Sequence, residues 1–118
     1  MANRRLYLAG PYTPYMDCNG NLHIEIENIF LAQKSAMYFI TMSYDVFCPH
    51  TMLAHMEHLG SNRIMQICMN YLSICDIIAL MTNWEYSNGS RDERTEAEKL
   101  GKFILYQNSD GSWPQITE

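Results

Sequence analysis

The apolar residues fall into short blocks that alternate between two periods. Arg5-Leu-Tyr-Leu-Ala9 is a compact apolar run closed by Gly10-Pro11, which predicts a buried first strand. Thr13 to Leu22 carries Pro14, Asp17, Asn19, Gly20 and Asn21 and predicts a loop. Ile26, Ile29, Phe30, Gln33, Met37 and Ile40 recur at helical spacing, so a helix is expected from about His23 to Ser43. Tyr44-Asp-Val-Phe-Cys48 predicts a second strand, stopped by Pro49. Ile64, Ile67, Cys68, Tyr71, Leu72 and Cys75 mark a second helix. Ile77-Ile-Ala-Leu-Met81 is a third strand, a charged helix follows Gly89, and Lys102-Phe-Ile-Leu-Tyr106 is a fourth strand. The polar tail, Gln107 to Glu118, has room for a short edge strand near Trp113.

Strands alternating with helices imply a parallel sheet covered by helices on its faces. Ligands of such sheets bind beyond the carboxyl ends of the strands. That rule selects Gly10-Pro11-Tyr12, Pro49-His50-Thr51 and Thr82 to Gly89. The charged helix, SNGSRDERTEAEKLG, adds a puzzle. Ser90 and Glu93 have the spacing of a capping box, which places Glu93 in the first turn. Yet Glu93 shares a stripe with Ala97 and Leu100, the side of a helix that normally faces a core.

Composition narrows the class. A chain of 118 residues is sized for one domain, here 1–118, and 47% hydrophobic against 18% charged residues excludes disorder. A net charge of −5 gives no support to nonspecific nucleic-acid binding. No apolar run approaches a membrane span, and the short run Leu6 to Ala9 is not a signal peptide. Cys18, Cys48, Cys68 and Cys75 form no CxxC pair, and reduced cysteines in a cytoplasmic protein are expected.

LYLAGPY, VFCPH, CDIIAL and W-E-x-S-x-G-x-x-x-E followed by A-x-x-x-G occur in that order between Leu6 and Tyr106. Together they resemble the nucleoside 2-deoxyribosyltransferase superfamily, and within it the small, often phage-borne branch near the deoxynucleoside 5′-monophosphate N-glycosidases. The resemblance implies a flavodoxin-like (Rossmann-like) α/β three-layer sandwich with about four to five parallel strands. It implies cleavage of an N-glycosidic bond by hydrolysis or by transfer to a second base. It implies no cofactor, a nucleotide or nucleoside substrate, and a homo-oligomer.

The superfamily's nucleophile is a glutamate four residues after a glycine, a spacing matched by Gly89 and Glu93. A carboxylate suits this chemistry because C1′ of deoxyribose reacts through an oxocarbenium-like state that it can capture as an ester. Capping alone would also account for a glutamate. Tyr7 matches the tyrosine that holds the nucleophile, though a strand tyrosine also serves a core. Ser87 matches the serine with which the monophosphate hydrolases bind phosphate, where nucleoside transferases carry an aspartate. Gly89, Ser90 and the helix N-terminus beside it suit an anion; the plainer role is a loop serine. Gly10 lets a backbone approach a ligand, or serves a turn. Trp84 stacks a base or packs under the loop.

Cys68 stands where the superfamily has an aspartate that serves the leaving base or the sugar. His50 is the substitute acid on this reading, and an inactive nucleotide-binding module on the same fold is the alternative. His50, His55 and His58 lack zincin spacing, so no metal is expected.

Overall fold

The computed structural model describes residues 3–116. The single-domain span 1–118 therefore includes four terminal residues that lie outside the described residues. Four parallel strands form the central sheet: β1 (Arg5–Ala9), β4 (Asp45–Phe47), β5 (Ile77–Leu80) and β6 (Phe103–Tyr106), in the order β4-β1-β5-β6. Leu6 lies beside Val46 on one flank and Ile77 on the other, and Ile77 lies beside Phe103. This is the flavodoxin-like order, with the first strand inside and the chain reversing direction across it.

Alternation along the strands sorts the core into two layers. Leu6 and Leu8 join Ile77 and Ala79 under α1 (Glu25–Thr41). Tyr7 and Ala9 join Ile78 and Leu80 under α3 (Ser61–Ile74) and α4 (Asn88–Lys99), with Cys68, Leu72, Cys75 and Ala97. Tyr7 thus points to the α4 side by strand parity. The last helix ends in a Schellman motif: Gly101 has φ 71°, Lys102 N–H donates to Ala97 and Gly101 N–H to Glu98.

Several expectations change. The loop 13–22 holds a small hairpin, β2 (Tyr15–Met16) with β3 (Leu22–His23). A four-residue helix, α2 (Pro49–Met52), and a 3₁₀ turn (Glu57–Leu59) follow the second strand. No strand forms near Trp113 among the described residues; its ring packs on Phe39 at 4.9 Å. Helix α1 also departs from the common pattern, in which the apolar stripe is the buried one. Its buried residues are Asn28, Ala32, Ser35, Ala36 and Phe39, while Ile26, Phe30, Met37 and Ile40 are 59–73% exposed. Small side chains let the helix lie close on the sheet, and the large apolar residues, about 130° round the helix, face outward.

Candidate active site

β1 and α4 bring Tyr7 and Glu93 together. The Tyr7 hydroxyl donates to Glu93 Oε2 inside the protein. Tyr7 is fully buried and Glu93 is 6% exposed. The capping box does not form. Ser87 is the N-cap, its Oγ accepts from the Ser90 N–H at 3.1 Å, and the helix begins at Asn88. Glu93 therefore lies in the second turn, and no cap requires a carboxylate there. The stripe is also shorter than expected: Ala97 is buried with Glu93, but Leu100 is the C-cap and is exposed.

Burial pushes the Glu93 carboxyl up to about 7; the Tyr7 hydroxyl pulls it down and the Asp92 charge pushes it up. Burial, then the Glu93 charge, holds the Tyr7 phenol well above its ordinary value. This phenol is a donor at neutral pH and the carboxyl is poised between its two forms.

Glu93 opens on a cavity of about 700 Å³, whose wall also includes Gly10, Tyr12, His50, Cys68 and Ser87, while Tyr7 lies behind it. Gly89 and Ser90 also line it, so the chain that precedes α4 borders the same space as the nucleophile candidate. Gly10 has a packing reason: an added Cβ would lie 2.8 Å from Met81 Sδ and 2.9 Å from its Cβ. Pro11 does not line this cavity. It borders a second space of about 530 Å³ beside α1, and its carbonyl lies 2.8 Å from His50 Nε2. Trp84 lines neither cavity. It packs 6.0 Å from Tyr106, with the Arg94 guanidinium 5.6 Å from its ring, because the turn after β5 carries it back over the sheet edge.

His50 fits the substitute-acid role poorly. Nε2 must carry the proton it gives to Pro11, which leaves Nδ1 bare, buried and without a partner in the described residues. Burial also pushes its pKa below the ordinary value, so the neutral ring has no proton to offer the cavity. Cys68 does line the cavity and packs in the same core layer as Tyr7, with its thiol pushed up to about 11 by burial. Asp76 is structural: its carboxylate accepts from the Arg5 N–H at 3.0 Å.

The three histidines of HTMLAHMEH do not converge. Only His55 enters a grouping tight enough for a metal, with Glu25 and Glu57, and it lies at the surface. Asn28 escaped the sequence reading. It is buried, and its amide donates to the Tyr12 and Thr13 carbonyls at 3.1 and 3.3 Å, pinning the chain after β1. Its signal was a polar residue on the face of α1 opposite the apolar stripe. Glu57 and Asp92 on the cavity wall carried no signal, and Tyr86 lay within the selected segment Thr82 to Gly89 without being singled out.

The family model described as "Domain of unknown function (DUF4406)" matches residues 4–106. The chain belongs to the DUF4406 family. No curated protein matches it. Its fold is similar to that of the 2-desoxiribosyltransferase from Leishmania mexicana, at 18% identity and TM-score 0.53 over 88% of this chain and 63% of that one. It is also similar to the solution structure of BlsM, at 18% identity and TM-score 0.64 over 93% of this chain and 68% of the other. The DUF4406 chain thus spans about two thirds of the length of these structures and shares their α/β fold. The fold implied by the motifs is the one found. No helix among the described residues is long and apolar enough to cross a membrane.

Proposed function

We propose that this protein cleaves the N-glycosidic bond of a 2′-deoxynucleoside 5′-monophosphate, with Glu93 as the nucleophile at C1′ and water or a second base as acceptor. The observation that carries the proposal is the buried Glu93, held by Tyr7 and facing the cavity at the strand ends. Desolvation makes a carboxylate more reactive toward a developing cation, and the Tyr7 hydroxyl fixes its direction. Glu93 attacks C1′ as the base leaves, and the ester is then opened. Ser87, Gly89 and Ser90 would receive the 5′-phosphate at the start of α4. The outward stripe of α1 favours a homo-oligomer.

The second reading is a nucleotide-binding module without turnover. It is favoured by Cys68, whose thiol is a weak acid beside the reacting pair. Incubation with a panel of deoxynucleoside monophosphates, analysed by chromatography for free base, separates the two. Base released by wild type and not by Glu93→Gln supports the glycosidase. Tight binding of a monophosphate without release supports the module.

A further inference from the structure

The cavity wall carries Glu57, Asp92 and Glu93 and, among the described residues, neither lysine nor arginine. A neutral base that leaves C1′ takes the bonding electron pair and must gain a proton or depart as an anion. The groups placed to give that proton are few. Tyr7 donates to Glu93. The His50 Nε2–H donates a hydrogen bond to the Pro11 carbonyl, and its other nitrogen is bare. The Tyr12 hydroxyl is engaged by Glu25 and Glu57 at 3.3 and 3.1 Å. Two weak acids remain: the Tyr86 phenol, which accepts from the Cys18 N–H at 2.8 Å and has its pKa raised, and Cys68, a buried thiol with its pKa pushed up to about 11. An anionic base would also leave into a wall of carboxylates, where like charges raise the barrier.

Resting on the glycosidase reading above, we propose that the preferred substrate is a nucleotide whose base bears a fixed positive charge, as in N-alkylated purines or N-linked pyridiniums, recognised by the Glu57 and Asp92 carboxylates. Such a base needs no acid. Its C–N bond breaks with the electron pair returning to the ring nitrogen, and the base departs neutral. The Glu93 oxygen forms the ester at C1′. Water then displaces Glu93, giving the sugar hydroxyl and one proton to solvent, so charge balances at +1 on each side. The positive charge passes from the base to the sugar in the transition state, beside Glu93, and is neutralised when the carboxylate forms the ester. Cys68 then sets specificity by being a poor acid.

The test uses 2′-deoxyguanosine 5′-monophosphate and its 7-methyl derivative, which differ by one methyl group and one charge. The first measurement is binding to Glu93→Gln, which removes turnover and leaves Glu57 and Asp92 in place. The methylated nucleotide should bind at least ~10-fold tighter, with Asp92→Asn and Glu57→Gln each reducing the ratio. Equal binding, or tighter binding of the neutral nucleotide, overturns the proposal. The second measurement is Cys68→Asp, which restores an acid. Its rate on the neutral nucleotide relative to the methylated one, each corrected for spontaneous loss, should rise ~10-fold or more. An unchanged ratio overturns the proposal. Should wild type release neither base, the glycosidase reading fails, while the binding ratio still decides the charge preference.

Discussion

Glu93 and Tyr7 are 86 residues apart in the chain and hydrogen-bonded in the interior, the phenol donating to the carboxylate. The phenol sits on a central strand that is buried on both faces, and the carboxylate on the inner side of a helix whose other residues are mostly charged. Burying a carboxylate is costly without partners. This one has a single donor among the described residues and a cavity in front of it, an arrangement that a purely structural glutamate does not need.

Replacing Glu93 with Gln should remove base release, by ~10³-fold or more, while the fold and much of the nucleotide binding survive. Gln keeps an oxygen for the Tyr7 hydroxyl. Wild-type turnover in this variant would remove Glu93 from the nucleophile role.

The same substitution has a signed effect on stability. The Glu93 carboxyl rises from an ordinary value of 4.5 to about 7 in the folded chain. The folded state therefore holds this proton more tightly than the unfolded state, and stability falls as pH rises from about 4.5 to about 7. Gln carries no charge. Above pH 7, Glu93→Gln should be more stable than wild type by roughly 2–4 kcal/mol, with no difference near pH 4. Urea unfolding at pH 4 and pH 8 measures it. An equal difference at both values would mean that the carboxyl is not buried in solution.

Activity should follow the ionised form of Glu93, rising with pH to a plateau above about 7. The Tyr7 hydrogen bond lowers the Glu93 pKa. Tyr7→Phe should shift the rising limb to higher pH and reduce kcat/KM at pH 7 by ~10- to 100-fold, the worth of one hydrogen bond to a charged group. A uniform loss at every pH would assign Tyr7 to packing alone.

Ser87→Asp should weaken binding of a deoxynucleoside monophosphate by ~10- to 100-fold and leave the nucleoside unaffected, because a carboxylate repels phosphate where a hydroxyl donates to it. Asp is also a good N-cap, so α4 should persist. Paired titrations of both ligands against both proteins decide it. Equal affinities for the two ligands in wild type would move the reading to a nucleoside transferase.

The outward side chains Ile26, Phe30, Met37 and Ile40 together expose roughly 400–500 Å² of apolar surface, near the upper end of what monomers show. Two such faces would bury roughly 800–1,000 Å², the low end of what a specific interface needs, so the contact is expected to be weak. We expect a second copy of the chain on α1, and Phe30→Glu should lower the sedimentation coefficient to that of a monomer. A wild type that is monomeric at all concentrations would contradict this.

The sequence by itself determined the four strands of the central sheet, because each is written as a short, mostly apolar block, but not the hairpin β2–β3, whose strands lie among polar and turn residues. It determined the order of elements, hence the parallel sheet and the strand ends where a ligand is expected, and the resemblance of its motifs implied that Tyr7 would hold Glu93, as their hydrogen bond does. The face of α1 was not readable. Its large apolar residues have helical period, but which side meets the sheet depends on how closely the backbone must approach, and Ala32, Ser35 and Ala36 permit the closer contact. The true cap was hidden for a similar reason, since Ser87 and Ser90 both suit a cap and only the path of the chain from the sheet chose Ser87. His50 and Trp84 sit near the expected loops in sequence. Only the tertiary structure decided that one donates its Nε2–H to the Pro11 carbonyl and the other turns away from the cavity, because hydrogen-bond partners and ring contacts come from residues far along the chain.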